Sequence, residues 1–264
     1  MAQIDIRNLS IEYKRPNTDE SFTAIDRVTV SVSKGELVTI VGSSGCGKST
    51  LLLAIAGLLP ITRGSIEIDG KAVRGPGRDR AVVFQDACLL PWRTVLGNVK
   101  FGLQMQRWSG DDLSERARRF IRMVGLGRFG EYRPQQLSGG MRQRVNIARA
   151  LAVDPEVLLM DEPFGALDAQ TREVMGDELL RIWERDKKTA LFVTHDIDEA
   201  IFLADRVIVM GRNPGHIKEV VAIDLPRPRT AAVLDSERFA EFRRRLRAYL
   251  AEDRVGMQLL EEVA

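Results

Sequence analysis

Hydrophobic positions follow two different patterns along this chain. From residue 3 to residue 41, apolar and polar side chains alternate, through Ile4, Ile6, Leu9 and Ile11 and again through Val28, Val30 and Val32. A period of two is the mark of strands with one buried face. Residues 14–21, with Pro16 and Asn17, read as the turn between them. A further hairpin-like unit over residues 64–73 carries Ile66 and Ile68 on one face. These segments predict an antiparallel β portion.

Elsewhere the apolar residues come in short unbroken runs, at 37–41, 81–84, 157–160, 190–193 and 207–210. Such runs suit strands buried on both faces of a mostly parallel sheet with helices packed over it. No strand-like run lies between Thr94 and Leu137, and residues 113–124 repeat with the period of an amphipathic helix. The expected fold is therefore α/β, with a mostly parallel sheet, an antiparallel β subdomain and a helical subdomain inserted at about 86–152. Leu225, Pro226, Arg227 and Pro228 break the pattern. We expect one domain over 1–225 and a helical tail over 226–264. Arg243, Arg244, Arg245 and Arg247 in that tail read as a solvated helix face, with a docking surface for a partner or lipid headgroups as the alternative.

Composition narrows the class. The 264 residues are 44% hydrophobic and 29% charged, ordinary values for a globular chain with ample material for a core. Thirty-nine basic against 37 acidic side chains leave a net charge of +2. That balance creates no global field for holding nucleic acid or an anionic bilayer, so no nucleic-acid partner is expected. The longest apolar run, residues 51–61, is broken by Gly57 and Pro60 and falls well short of the roughly 18 residues a membrane span needs. The first ten residues lack the basic and apolar regions of a secretory signal, so a cytosolic location is expected. Cys46 and Cys88 have no metal-ligand spacing and are expected to be free thiols.

Three segments carry chemistry. Gly42-Ser43-Ser44-Gly45-Cys46-Gly47-Lys48-Ser49-Thr50 stands between a strand run and a helical run. Glycines there let the backbone curl so that its N–H groups point at phosphate oxygens, beside a helix N-terminus whose dipole favours anions. In such a loop Lys48 meets the β- and γ-phosphates of a nucleotide and Ser49 meets magnesium. The run 157–160 ends in Asp161 and Glu162. A chain with a phosphate loop needs a magnesium-holding acid at a strand end, which suits Asp161. Glu162, pointing elsewhere, is placed to polarise an attacking water as general base. Upstream, Ser138, Gly139 and Gly140 precede Met141, Val145, Ala148 and Ala152, which share one helical face. Ser138 is a good N-cap, and the two glycines leave backbone N–H groups bare, so this is a second anion-binding helix start.

With these segments in this order, the sequence resembles the ATP-binding cassette family from Ile4 to about Ile223. The resemblance implies a P-loop NTPase core that hydrolyses ATP with Mg2+ and works as a head-to-tail homodimer. Ser138, Gly139 and Gly140 of one copy would close on the γ-phosphate held by the phosphate loop of the other. It also implies roles for four more residues: Gln85 as a magnesium and water contact, His195 as the switch that touches the γ-phosphate, Asp168 as a contact across the dimer, and Tyr13 as the ring against adenine. Phe22 is the alternative ring. Met141 stands where many members have glutamine, a departure that leaves the serine and glycines intact.

A narrower resemblance, to the nitrate, sulfonate and taurine importer branch, rests on Gly75-Pro76-Gly77, Arg80-Ala81-Val82-Val83-Phe84-Gln85, Leu89-Leu90-Pro91-Trp92 and Asn98-Val99-Lys100-Phe101-Gly102-Leu103. It implies a peripheral subunit on the cytoplasmic face of the inner membrane, joined to integral membrane permease subunits and served indirectly by an external substrate-binding protein. Leu89, Leu90 and Trp92 are expected either to receive a helix of the permease or to pack inside the helical subdomain. The alternatives are another importer branch or a cassette ATPase that works without transport. A guanine-specific box and an acceptor lid, which other phosphate-loop proteins need, are not found. With Lys48, Asp161, Glu162 and His195 all in place, a catalytically silent module is disfavoured.

Overall fold

The computed structural model describes residues 2–14 and 20–261, with side-chain surroundings for 3–14 and 20–251. Most of the turn expected over 14–21 lies outside the described residues. In chain order the elements are β1 (Ala2–Lys14), β2 (Ser21–Ser33), β3 (Leu37–Gly42), α1 (Lys48–Ala56), β4 (Arg63–Ile68) and β5 (Lys71–Ala72). There follow β6 (Arg80–Val83), α2 (Val95–Met105), α3 (Gly110–Met123), α4 (Gly139–Ala152), β7 (Val157–Asp161) and α5 (Ala169–Asp186). The chain continues with β8 (Thr189–Val193), α6 (Ile197–Leu203), β9 (Arg206–Gly211), β10 (His216–Ala222) and α7 (Glu237–Glu261). One compact unit is built from the described residues up to Gly77 and from Glu184 onward, and the other spans Arg78–Trp183.

In the first unit an antiparallel sheet has the order β2-β1-β4-β5. Its alternation works as the sequence predicts: Val28, Val30 and Val32 of β2 point inward, as do Ile4 and Ile6 of β1. Register shifts interrupt the β1–β2 ladder after Ile6 and after Leu9, where Asn8 and Arg27 adopt left-handed backbone. A second sheet runs β10-β9-β3-β8. Here β3 is parallel to both β8 and β9, and every one of its residues is buried. β10 closes the edge antiparallel to β9. Its residues are mostly half-buried, with only Val221 fully enclosed, so it lacks the apolar run that announced its neighbours. Helix α6 packs on β3, and α7 packs on α6 and β9.

The tail helix corrects one expectation. Phe239, Phe242 and Leu246 of α7 are buried, and Arg243 is bound to Asp198 of α6. Apolar side chains at i, i+3 and i+7 seat the helix, so only Arg244, Arg245 and Arg247 form the solvated face.

In the second unit β6 and β7 run parallel, and α4 packs beneath β6. Helices α2, α3 and α4 pack on one another. Helix α3 buries Leu113, Ala117, Phe120 and Ile121, the apolar stripe seen in the sequence. On α4, Val145, Ala148 and Ala152 are buried as expected, while Met141 is half-buried.

Candidate functional site

The phosphate-type loop lies in the first unit, between β3 and α1. A Cβ on Gly42 would come within 2.5 Å of Cys46 Sγ and 2.7 Å of the Met210 carbonyl, so only glycine fits. Gly45 and Gly47 have φ of 78° and 95°, the left-handed region that favours glycine. Gly47 is the N-cap of α1, with no side-chain cap and no acid in the first turn. The positive end of that helix dipole therefore meets no competing carboxylate of its own first turn. Lys48 Nζ donates to the carbonyls of Gly42 (2.9 Å) and Ser43 (3.1 Å), which holds the ammonium over the loop. Ser44, Gly45 and Ser49 are exposed. The Cys46 thiol is fully buried beneath the loop, so this residue offers the loop its backbone and turns its reactive atom inward.

The same unit positions His195. The Thr194 N–H donates to the Ile40 carbonyl of β3 (3.1 Å), tying the end of β8 to the strand that leads into the loop. Asp196 then caps α6 by accepting from the N–H groups of Asp198 and Glu199. His195 stands exposed between strand end and cap. Tyr13 and Phe22, weighed above as alternatives, are direct partners across the β1–β2 ladder, 41% and 50% exposed. Opposite positions in a ladder project to one face of the sheet, so the two rings share a surface.

The second unit brings Gln85 and Glu162 together. β6 pairs in register with β7, Val83 opposite Met160, so the residues two further on come side by side. Gln85 Nε2 donates to Glu162 Oε2 at 3.4 Å. Asp161 ends β7 as a buried carboxylate. Glu162 has φ of 42°, a left-handed backbone that a glutamate adopts only at a local conformational cost. Asp161 is buried at the strand end, whereas the Glu162 carboxylate is reached by the Gln85 amide.

Ser138 is the N-cap of α4, and its Oγ accepts from the Met141 N–H at 3.2 Å. Ser138 and Gly139 are exposed, whereas Gly140 faces the next loop closely: a Cβ there would lie 3.2 Å from Leu167 Cδ2. Asp168, at the end of that loop, caps α5 by accepting from the Thr171 N–H (2.9 Å) and hydroxyl (2.7 Å). These bonds hold its carboxyl below the ordinary aspartate value.

A family model described as ABC transporter matches residues 25–165, more than half of the chain. The chain belongs to the ABC transporter family. It is 53% identical over 230 residues to an uncharacterized ABC transporter ATP-binding protein of Methanocaldococcus jannaschii, covering 87% of this chain and 85% of that one. It is 48% identical over 233 residues to the taurine import ATP-binding protein TauB of Rhizobium johnstonii, covering 86% and 88%. Among solved structures, a dimeric post-hydrolysis state of an ATP-binding cassette bound to ADP and Pi superposes with a TM-score of 0.78. That cassette is 35% identical, and the match covers 84% of this chain and all of that one.

Sequence patterns missed three residues of this ABC protein. Gln143 and Asn146, both buried on α4, donate to the Phe84 carbonyl at 3.0 and 3.1 Å. Arg149 donates to the carbonyls of Ala87 and Cys88 and to Asn146 Oδ1. The helix that starts at Ser138 thus holds the backbone on both sides of Gln85. The available signal was three polar residues at a spacing of three on a helix whose apolar face is otherwise regular.

The donors Ser49, Gln85 and Asp161 are all hard oxygen or amide groups, the kind Mg2+ takes. No group of three or more His, Cys, Asp or Glu suited to a metal ion occurs among the described residues. Magnesium typically sits on one or two protein oxygens plus substrate phosphates, so a hydroxyl such as Ser49 in the first unit or a carboxylate such as Asp161 in the second suits it by its own chemistry.

Proposed function

We propose that this chain is the ATP-hydrolysing subunit of an importer, energising a membrane permease that moves a small anion such as nitrate, a sulfonate or taurine. The observation that carries the hydrolytic reading is the Gln85–Glu162 pair beside buried Asp161. A carboxylate next to a metal-binding acid and steadied by an amide is what activation of a water requires. The glycine loop and the α1 N-terminus receive the phosphates, with Lys48 supplying positive charge to the β- and γ-oxygens. Magnesium, held by Ser49 and Asp161 with Gln85, would neutralise charge that develops between those oxygens. Glu162 takes a proton from the attacking water, and His195 donates to the γ-phosphate as its charge shifts. Adenine stacks on the shared face of Tyr13 and Phe22.

Ser138, Gly139, Gly140 and Asp168 act on the ATP held by a second copy, so the working unit is a homodimer. The dimeric cassettes of similar fold support this reading. The importer reading rests on similarity to taurine import ATP-binding proteins. It is helped by Trp92, 70% exposed beside half-buried Leu89 and Leu90, on a loop pinned by buried Asn98. An aromatic side chain held out on a fixed loop suits a permease helix better than internal packing. No helix among the described residues is long and apolar enough to cross a membrane, which suits a peripheral subunit on the cytoplasmic face. The substrate is selected by the permease and an external binding protein, without contact to this chain. Subdomain boundaries at about 86–152 and 226–264 are part of the same proposal.

The test is to reconstitute the chain with its genomically neighbouring permease and binding protein in vesicles and to measure uptake of labelled taurine, alkanesulfonate and nitrate. ATP-driven uptake of one of them, abolished by Glu162→Gln, is the expected result. ATP hydrolysis unaffected by that substitution would remove the assigned chemistry.

A further inference from the structure

Helix α6 is seven residues long and begins one cap residue after His195. A helix this short is marginal by itself, and its last carbonyls have no partners within the helix. Two arginines from the segment after β10 occupy them. Arg229 Nη1 donates to the carbonyls of Ile201 (3.0 Å), Phe202 (2.9 Å) and Ala204 (2.7 Å). Arg227 Nη2 takes Leu203 (2.8 Å), so four consecutive carbonyls are used by two guanidinium groups. Arg229 Nη2 also reaches Ile223 and Leu225, folding the segment onto itself.

The other connections run to β3 and to α7. Asp205 accepts from Arg227 through Oδ1 (2.9 Å) and from the Leu37 N–H of β3 through Oδ2 (3.0 Å). At the opposite end of α6, Arg243 forks Asp198 in the first helical turn at 2.6 and 3.0 Å, and its guanidinium lies over the Phe239 ring. Arg229 is almost fully buried. Burial, then the charge of Arg227, pushes its pKa down to about 10, which leaves it protonated at neutral pH. A buried cation is costly unless its donors are used, and here five carbonyls accept from the two terminal nitrogens, while the buried Nε has no partner among the described residues. Only a planar fork reaches so many acceptors at once, and a lysine in its place offers a single point charge.

We infer that Arg229 and Arg243 are positioning residues for His195, fixing α6 at its two ends so that the imidazole is presented at a set height above the end of β8. This rests on the proposed role of His195 at the γ-phosphate. Because His195 is wedged between the Thr194 tie to β3 and the Asp196 cap, any roll or slide of α6 displaces its ring. The arginine-bearing tail thereby sets a catalytic geometry from outside the motifs that bind nucleotide.

The chain has two histidines, His195 and His216, so the imidazole signals of the purified protein can be assigned by one substitution. Arg243→Ala, which removes a partly exposed pair, and Arg229→Lys, which keeps the charge, are the variants. Each is expected to shift the His195 ring signal while leaving His216 in place. Each should lower kcat for ATP about three- to tenfold with KM within about twofold, the pattern of an interaction needed in the transition state. Restoring the pair with Asp198→Arg in Arg243→Asp should recover part of kcat. An unmoved His195 signal with unchanged kcat in both variants overturns the inference. Full activity of His195→Ala instead overturns the underlying reading of His195, a separate result that the ring signals do not produce.

Discussion

Two helix starts in this protein look alike in sequence and differ in kind. The start of α1 has a glycine cap, no side chain folded back on it and a lysine whose ammonium is held over the loop by two carbonyls. The start of α4 also follows a loop and presents two glycines, but Ser138 already accepts the Met141 N–H on its hydroxyl oxygen. The first is a cradle walled by its own chain, with Met210 and Cys46 closing in on Gly42. The second is an exposed cap at Ser138 and Gly139, with Leu167 close only to Gly140. The first suits enclosure of a phosphate within one copy, and under the proposed function the second closes a site begun elsewhere. The difference teaches that glycines at a helix start can sit in a walled loop or on an exposed cap, and that neighbouring side chains decide which; the proposed function makes the first the binding loop and the second the lid.

The comparison can be broken most severely at the cradle. Lys48→Ala should abolish tight ATP binding and reduce hydrolysis by about 100-fold or more, since a positioned cation at developing phosphate charge is typically worth that much. Glu162→Gln should lower turnover by about 100- to 10,000-fold while ATP stays bound, the range for loss of a general base. Size-exclusion chromatography with ATP should then show a persistent dimer, and a monomer with bound ATP would count against the lid.

At α4 a milder pair of substitutions separates cap from lid. Ser138→Ala loses a helix cap and should cost about 1 kcal/mol in denaturant unfolding. Ser138→Asp keeps the cap but places a negative charge where the partner's phosphate is expected, so stability should hold while turnover drops about tenfold or more by like-charge opposition. Equal activity of Ser138→Asp and the parent chain would assign Ser138 to helix capping alone.

Cysteine labelling sharpens the cradle further. The sequence alone suggests that alkylation of Cys46 inactivates the protein with ATP protecting. The buried thiol changes the expected order of events: a small alkylating reagent should modify exposed Cys88 first, and Cys46 about tenfold or more slowly, as opening of the loop limits access. Peptide mapping over time reads both rates, and ATP should slow Cys46 further.

The smallest effect concerns Asp168. Its folded-state pKa is depressed by the bonds from Thr171, so its contribution is present above the ordinary aspartate value and is lost as pH falls through the depressed one. Asp168→Asn should therefore be less stable than the parent near neutral pH, with the gap closing in acid. A gap that stays constant through the acid range would show that Thr171 does not act through the charge.

The two sheets and the helical insertion were legible because each has its own hydrophobic period. Alternation in β2 and unbroken runs in β3, β7, β8 and β9 are direct consequences of one or two buried faces. β10 was not legible, since an edge strand with half-buried residues imposes no strong pattern. Gln143, Asn146 and Arg149 were overlooked for a related reason: polar residues on a buried helix face deviate from the period and become intelligible only once the Phe84, Ala87 and Cys88 carbonyls are seen beside them.

The linear chain by itself determined the candidate chemistry, because the loop geometry calls for glycines at 42, 45 and 47, and Lys48, Asp161 and Glu162 carry the charges a nucleotide site would use. Tertiary structure decided which way those groups face and what steadies them. Register between β6 and β7 brings Gln85 to Glu162, burial turns Cys46 inward, and packing of α7 delivers Arg243 to Asp198. Such pairings join residues far apart along the chain, and no local preference encodes them until the core has closed.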